Sequence, residues 1–162
     1  MLQLSIAQIP EKITSCAFTG QRELKRDFSQ EKLSEIIDEC IRRGCKNFYC
    51  GMAKGFDLKA GEEIIKRIKN GQDLKLFACI PYQNQPSAYS EQEKKRYDEI
   101  LALSEKKIVF YQTYTKWCMS ERNEYMADHA DVLIAYLNAD KGGTYNTVKY
   151  FLKKKKGYVF YL

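Results

Sequence analysis

Apolar positions along the chain fall into two alternating kinds of run. Short, nearly continuous stretches at Ile13 to Phe18, Asn47 to Cys50, Leu74 to Ile80, Ile108 to Gln112, Val132 to Leu137 and Tyr158 to Leu162 read as strands buried on both faces. Between them the spacing becomes helical: Leu33, Ile36, Ile37, Cys40 and Ile41 advance by 3, 1, 3 and 1 residues, and the stripe ends at Gly44. Leu58, Gly61, Ile64, Ile65 and Ile68 repeat it. Tyr97, Ile100, Leu101 and Ser104 give a weaker stripe, Met119, Met126, Ala127 and Ala130 another, and Val148, Phe151 and Leu152 the last. Six strands joined by five crossovers close most economically as a three-layer α/β sandwich, a mainly parallel six-stranded sheet with helices on both faces.

In that architecture ligands sit beyond the carboxyl ends of the strands, so the loops sort by edge. Gly44-Cys45-Lys46, Asn70-Gly71-Gln72-Asp73, Ser104-Glu105-Lys106 and Lys156-Gly157 enter strands and carry ordinary turn chemistry. Thr19-Gly20-Gln21-Arg22, Gly51-Met52-Ala53-Lys54-Gly55-Phe56-Asp57, Pro81-Tyr82-Gln83 and Asp140-Lys141-Gly142-Gly143-Thr144 leave them, and are richer in glycine beside hydroxyl, amide and ionised groups.

Gly142-Gly143-Thr144 follows a buried strand and opens a helix, which suits either a phosphate cradle, with Thr144 and Thr147 as added donors, or a tight turn. Thr19 and Gly20 offer a second place for close approach, with Arg22 able to fork onto phosphate or carboxylate. Gly51 and Gly55 flank a loop ending in Asp57, which either caps the next helix or accepts from ribose hydroxyls. Glu62 lies further along that helix and would serve a sugar or base edge if buried. Arg122, on the helix before the fifth strand, is placed to face the same edge. His129, the single histidine, stands between Asp128 and Asp131, but no motif-placed Ser or Cys nucleophile accompanies it and a structural role is expected.

Composition narrows the field further. The chain of 162 residues is 44% apolar and 30% charged, which fits one domain, residues 1–162, with 1–12 as an N-terminal extension. No window approaches a membrane span and no basic leader with an apolar stretch opens the sequence, so a cytoplasmic protein without membrane partners is expected. The formal charge of +6 includes four positives in the run Lys153 to Lys156, and +2 remains without it, so any nucleic-acid affinity rests mostly on that patch. Six cysteines without a C-x-x-C pair, three of them in strand-like runs, argue for buried thiols in a reducing compartment and against a metal or disulfide framework.

The motifs Cys16-Ala17-Phe18-Thr19-Gly20-Gln21-Arg22, Gly51-Met52-Ala53-Lys54-Gly55-Phe56-Asp57 with Glu62, Ala78-Cys79-Ile80-Pro81-Tyr82, Arg122-Asn123-Glu124-Tyr125-Met126-Ala127-Asp128 and Gly142-Gly143-Thr144-Tyr145-Asn146-Thr147 occur in one order. Together they resemble the YspA/YpsA-like branch of the SLOG superfamily, from about Ile13 to the C-terminus. That resemblance implies a Rossmann-like fold and a nucleotide or nucleotide-derived ligand at the strand exits, and homo-oligomers, since relatives often dimerise. Met119 to Tyr150 is also similar to the lonely-guy phosphoribohydrolases: Glu121 and Arg122 match their helix motif, Gly142 and Gly143 their phosphate loop. The catalytic part departs. Val148, Lys149 and Tyr150 stand where that pattern needs its glutamate, Lys141 replaces its proline, and Gln21 stands where relatives of the first branch commonly carry histidine.

The expectation is therefore a nucleotide-binding sensor or sequestering domain needing no cofactor or metal. Thr19, Gly20, Arg22, Gly51, Gly55, Asp57, Glu62, Arg122, Gly142, Gly143, Thr144 and Thr147 form its candidate site. Two alternatives stand beside it. One is an N-glycosidic hydrolase using Asp57 or Glu62 on a nucleoside phosphate or ADP-ribose-like compound. The other, implied by the similarity to DNA-processing proteins, is single-stranded DNA binding.

Overall fold

The computed structural model describes residues 9–155 and 157–162. Its strands are β1 (Ser15–Gly20), β2 (Asn47–Cys50), β3 (Lys75–Tyr82), β4 (Lys106–Tyr111), β5 (Val132–Tyr136) and β6 (Tyr158–Tyr161). Its helices are α1 (Gln30–Arg42), α2 (Phe56–Lys69), α3 (Glu91–Ala102), α4 (Cys118–His129) and α5 (Gly143–Lys154). A one-turn 3-10 helix over Gln85–Ala88, which hydrophobic spacing does not announce, lies between β3 and α3.

All strand pairs are parallel, in the order β4-β3-β2-β1-β5-β6. The chain steps outward from β1 to β4, returns over the sheet through α4, and then steps the other way through α5. Right-handed crossovers put α1, α2 and α3 on one face and α4 and α5 on the other. The side chains obey this division with the two-residue period of a strand. Cys16 and Phe18 join Leu33, Ile37, Phe56 and Ile64 in one core layer, while Ala17 joins Met126, Ala127, Val148 and Phe151 in the other. Phe18 stacks on Phe48 at 5.8 Å and meets Phe56 edge-on at 6.3 Å. Each of these buried rings contributes roughly 1.5–3 kcal/mol through area removed from water.

The carboxyl edge splits between β1 and β5, because β1 feeds a helix on one face and β5 a helix on the other. Such a switch point opens a crevice. The helix starts differ in a way that concerns it. Ser29 caps α1 and Ser90 with Glu93 forms a capping box on α3, whereas α2, α4 and α5 have no side-chain cap.

At their carboxyl ends two strands run further than their apolar runs. Thr19 and Gly20 remain in the ladder opposite Ala135 and Tyr136, so they are the end of β1, and Pro81 and Tyr82 likewise belong to β3. The start of β1 falls at Ser15 instead of Ile13 because Asp131 takes the amides of Thr14 and Ser15 on its side chain, at 2.8 and 3.1 Å. Of the expected extension, residues 1–8 lie outside the described residues, while the carbonyls of Ile9 and Pro10 accept from Arg43. All six cysteines are buried and free, and no helix among the described residues is long and apolar enough to cross a membrane. Lys156 of the basic run also lies outside the described residues.

Candidate functional site

A hollow of about 350 Å³ opens at the switch point. The end of β1 supplies Thr19, Gly20 and Arg22, the β2–α2 segment Ala53 and Asp57, α4 Met119, Arg122 and Asn123, and the start of α5 Gly143 and Thr144. Four chain segments far apart in sequence thus meet because their strands end on one edge.

The β2–α2 segment is the most constrained. Met52, wholly buried, has φ 62, the one positive value for a non-glycine among the described residues. A bulky side chain in that region marks strain that surrounding contacts must hold. The turn directs the Ala53 amide onto Asp57 Oδ2 at 3.2 Å, and Gln85 and Tyr89 grip it from the opposite side by donating to the carbonyls of Gly51 and Met52. Asp57 is 6% exposed and its Oδ1 is buried without a partner. Burial pushes this carboxyl up from 3.8 to about 6, although Arg122, the Ala53 amide and Arg22 pull the other way. It is a carboxyl with an unused acceptor at the wall of a polar hollow.

Arg122 is 5% exposed. Its Nη1 donates to the carbonyls of Gly51 and Cys79, and its Nε to Asn123 Oδ1 at 2.7 Å. Among the described residues no carboxylate lies within ion-pairing distance of it. The guanidinium is therefore hydrogen-bonded to neutral acceptors, and its charge acts on the nearby Asp57 carboxyl and on the hollow. A Cβ at Gly51 would stand 2.7 Å from Arg122 Nη1 and 2.9 Å from Asp57 Oδ2, so glycine there lets both groups close on the turn.

Gly142 starts α5 with φ 95 and no side-chain cap, leaving the first-turn amides of Gly143 and Thr144 for an incoming acceptor. A Cβ at Gly143 would find only Asn123 Nδ2, at 3.9 Å, so the space over that amide is open.

Seven sequence candidates line the hollow: Thr19, Gly20, Arg22, Asp57, Arg122, Gly143 and Thr144. Five do not, each for a physical reason. Glu62 is held by Arg96 of α3 in a two-pronged ion pair at 2.9 and 2.7 Å and does not line the hollow. Thr147 donates its hydroxyl to the Gly143 carbonyl at 2.8 Å and so has no donor to spare. Gly51 acts through its carbonyl, Gly142 through its backbone angle, and Gly55 lets α2 pack under the β1 exit, where a Cβ would overlap the Arg22 carbonyl. Gly20 has a packing duty as well, since a Cβ there would overlap the Phe56 ring. His129 hydrogen-bonds through Nδ1 with the Tyr125 carbonyl at 2.7 Å and lies over the Tyr125 ring at 4.0 Å, while Asp131 and Asp128 serve backbone amides and Tyr150. No triad forms. Asn123 and Ala53 were not singled out. Asn123 had a signal, since it follows Arg122 directly; Ala53 contributes an amide, which its side chain does not advertise.

A parallel six-stranded sheet with helices on both faces, and with an uncapped helix start, a buried arginine and a buried carboxyl around its switch point, defines a Rossmann-like α/β domain. The chain belongs to the YspA SLOG family, whose model matches residues 16–160. It is 27% identical over 143 residues to the uncharacterized SPbeta prophage-derived protein YoqJ of Bacillus subtilis, covering 80% of this chain and 83% of that one. It is also 27% identical over 127 residues to the UPF0398 protein BH1768 of Halalkalibacterium halodurans, covering 75% of this chain and 62% of the relative. Among solved structures, DNA processing protein A from Streptococcus pneumoniae superposes with a TM-score of 0.66 at 18% identity, over 93% of this chain and 50% of that one. The Helicobacter pylori protein, described by its single-stranded DNA binding mode, gives 0.65 at 18% identity, over 90% and 64%. The chain thus spans less than two thirds of UPF0398 protein BH1768 and of both DNA processing proteins, and the structural likeness is one of fold.

Proposed function

We propose that the chain binds a nucleotide or nucleotide-derived anion in the switch-point hollow, acting as a sensor or sequestering domain. The observation that carries this reading is that the uncapped start of α5, the unpaired charge of Arg122 and the unused acceptor of Asp57 share one hollow. A phosphate would rest on the Gly143 and Thr144 amides, with Arg122 behind it and Arg22 closing from the mouth. Asp57 would accept from a ribose hydroxyl or a base N–H. Native mass spectrometry of the wild type against mononucleotides, cyclic nucleotides and ADP-ribose derivatives, beside Gly143→Val, tests it. A retained ligand lost in the variant is expected; a wild type that retains none of them refutes the reading. The same spectra watch for a released base. Asp57, with its carboxyl near 6, would be the acid–base group of such a hydrolase, since Glu62 is engaged by Arg96.

A second reading, single-stranded DNA binding, is supported by the fold shared with the DNA processing proteins and by the basic end of α5. It predicts affinity for oligonucleotides that falls steeply with salt and is lost when Lys153 to Lys156 are neutralised. Free-nucleotide binding survives that change and suffers from Arg122→Ala.

A further inference from the structure

A second hollow, of about 220 Å³, shares Met119, Asn123 and Gly143 with the first and continues it along the cleft between α4 and α5. Lys116 and Ser120 line one side and Tyr150 the other, with Glu124 the carboxylate in its wall. Lys116 belongs to the β4–α4 connection, which also carries Tyr114 and Trp117, 61% and 58% exposed. These are the large apolar side chains left exposed among the described residues, and both belong to this one connection. The Lys116 ammonium lies 4.7 Å from the centre of the Trp117 ring, and Tyr114 meets Tyr82 edge-on at 5.5 Å. Trp117 is also the residue that starts α4, again without a side-chain cap.

We infer that the ligand is longer than a mononucleotide: a dinucleotide-type molecule whose second base occupies this groove and stacks on Trp117, with Lys116 on the linking phosphate. The inference rests on the nucleotide reading of the first hollow and deepens it. An exposed indole beside an ammonium is the pairing that holds a flat base and its phosphate together, and stacking on one aromatic side chain changes affinity by about tenfold or more. The shared wall at Asn123 and Gly143 makes the two subsites contiguous, so one molecule filling both gains from linkage what two separate nucleotides would not. A single mononucleotide fills one hollow and leaves Trp117 in water.

Trp117 is the only tryptophan in the chain and lies beside Lys116 at the rim of the groove, so its fluorescence reports a base stacked there. Wild type, Trp117→Ala and Lys116→Gln are titrated with AMP, with diadenosine diphosphate and with a deoxyadenosine oligonucleotide, at low and high salt. The expected result is that the dinucleotide binds about tenfold or more tighter than AMP and quenches Trp117. Trp117→Ala should remove that advantage while leaving AMP affinity, followed by calorimetry, unchanged, and Lys116→Gln should reduce the advantage. Equal affinity for AMP and the dinucleotide, or an advantage that survives Trp117→Ala, overturns the groove assignment and leaves the first hollow standing. Tight, salt-sensitive binding of the oligonucleotide alone replaces the dinucleotide by a nucleic acid. No binding of AMP or of the dinucleotide overturns the groove assignment, while the reading of the first hollow falls only if the wider nucleotide screen is empty as well.

Discussion

Replacing Asp57 by asparagine should make the empty protein more stable and its site useless, and pH separates the two effects. The buried carboxyl titrates near 6 where an ordinary aspartate titrates at 3.8. The folded chain therefore holds this proton after the unfolded chain has lost it, so stability falls as pH climbs from about 4 to about 6 and stays low above that window. At 1.36 kcal/mol per pH unit the fall is about 3 kcal/mol. Asparagine keeps the shape and the acceptor for the Ala53 amide but has nothing to ionise, so its stability curve lacks this fall. Urea unfolding followed by circular dichroism, on both proteins at about pH 4 and about pH 7.5, reads the gap between them. The gap should widen in favour of Asp57→Asn by up to about 3 kcal/mol from the lower to the higher pH. A gap that does not change with pH would refute the desolvation argument, because every other titrating group is common to the two chains.

Gly143→Ala should leave the unfolding midpoint unchanged, since its Cβ meets nothing closer than 3.9 Å, yet weaken nucleotide binding in calorimetry about tenfold by standing over the first-turn amides. Gly20→Ala should cost about 1–3 kcal/mol in urea unfolding, because its Cβ overlaps the buried Phe56 ring and the ring must shift. Glu62→Gln should leave ligand affinity unchanged, while Arg96 loses its partner; a loss of affinity would return Glu62 to the site. His129→Phe should likewise bind normally, since the ring stays stacked on Tyr125 and only the bond to its carbonyl is removed.

The six strands and five helices were legible because a strand buried on both faces leaves a continuous apolar run and a half-buried helix leaves a stripe of period 3.6. Strand ends were less so. Thr19 and Gly20 look like a turn in composition but stay in the ladder, because the adjacent β5 reaches Tyr136 and supplies their partners. The site was legible as an edge and as a set of loops, since the order of strands decides which loops meet. Individual roles were not. Glu62 and Thr147 sit at positions that suit a ligand, and each is taken by a nearer partner that no spacing rule predicts, Arg96 from another helix and the Gly143 carbonyl one turn back. Ala53 contributes only its main chain, and main-chain contributions are invisible in residue type.

The glycines make the same point about kinds of evidence. One letter covers two physical situations at this edge. At Gly20 and Gly55 a Cβ would collide with the protein itself, the Phe56 ring and the Arg22 backbone, so these positions are required by folding whatever the hollow holds. At Gly143 the protein offers no such obstacle, and a larger residue is tolerated by the fold. An open position is a better pointer to a ligand than a crowded one, because packing cannot account for it. Arg122 is the charged counterpart. A guanidinium 5% exposed, bonded to carbonyls and with no carboxylate in ion-pairing contact, is costly to keep unless an anion completes it, and the uncapped amides of α5 border the same hollow. Fold alone explains Gly20, Gly55 and the ion pair of Glu62; it does not explain an open glycine, an unpaired buried cation and an unused carboxyl oxygen around one space.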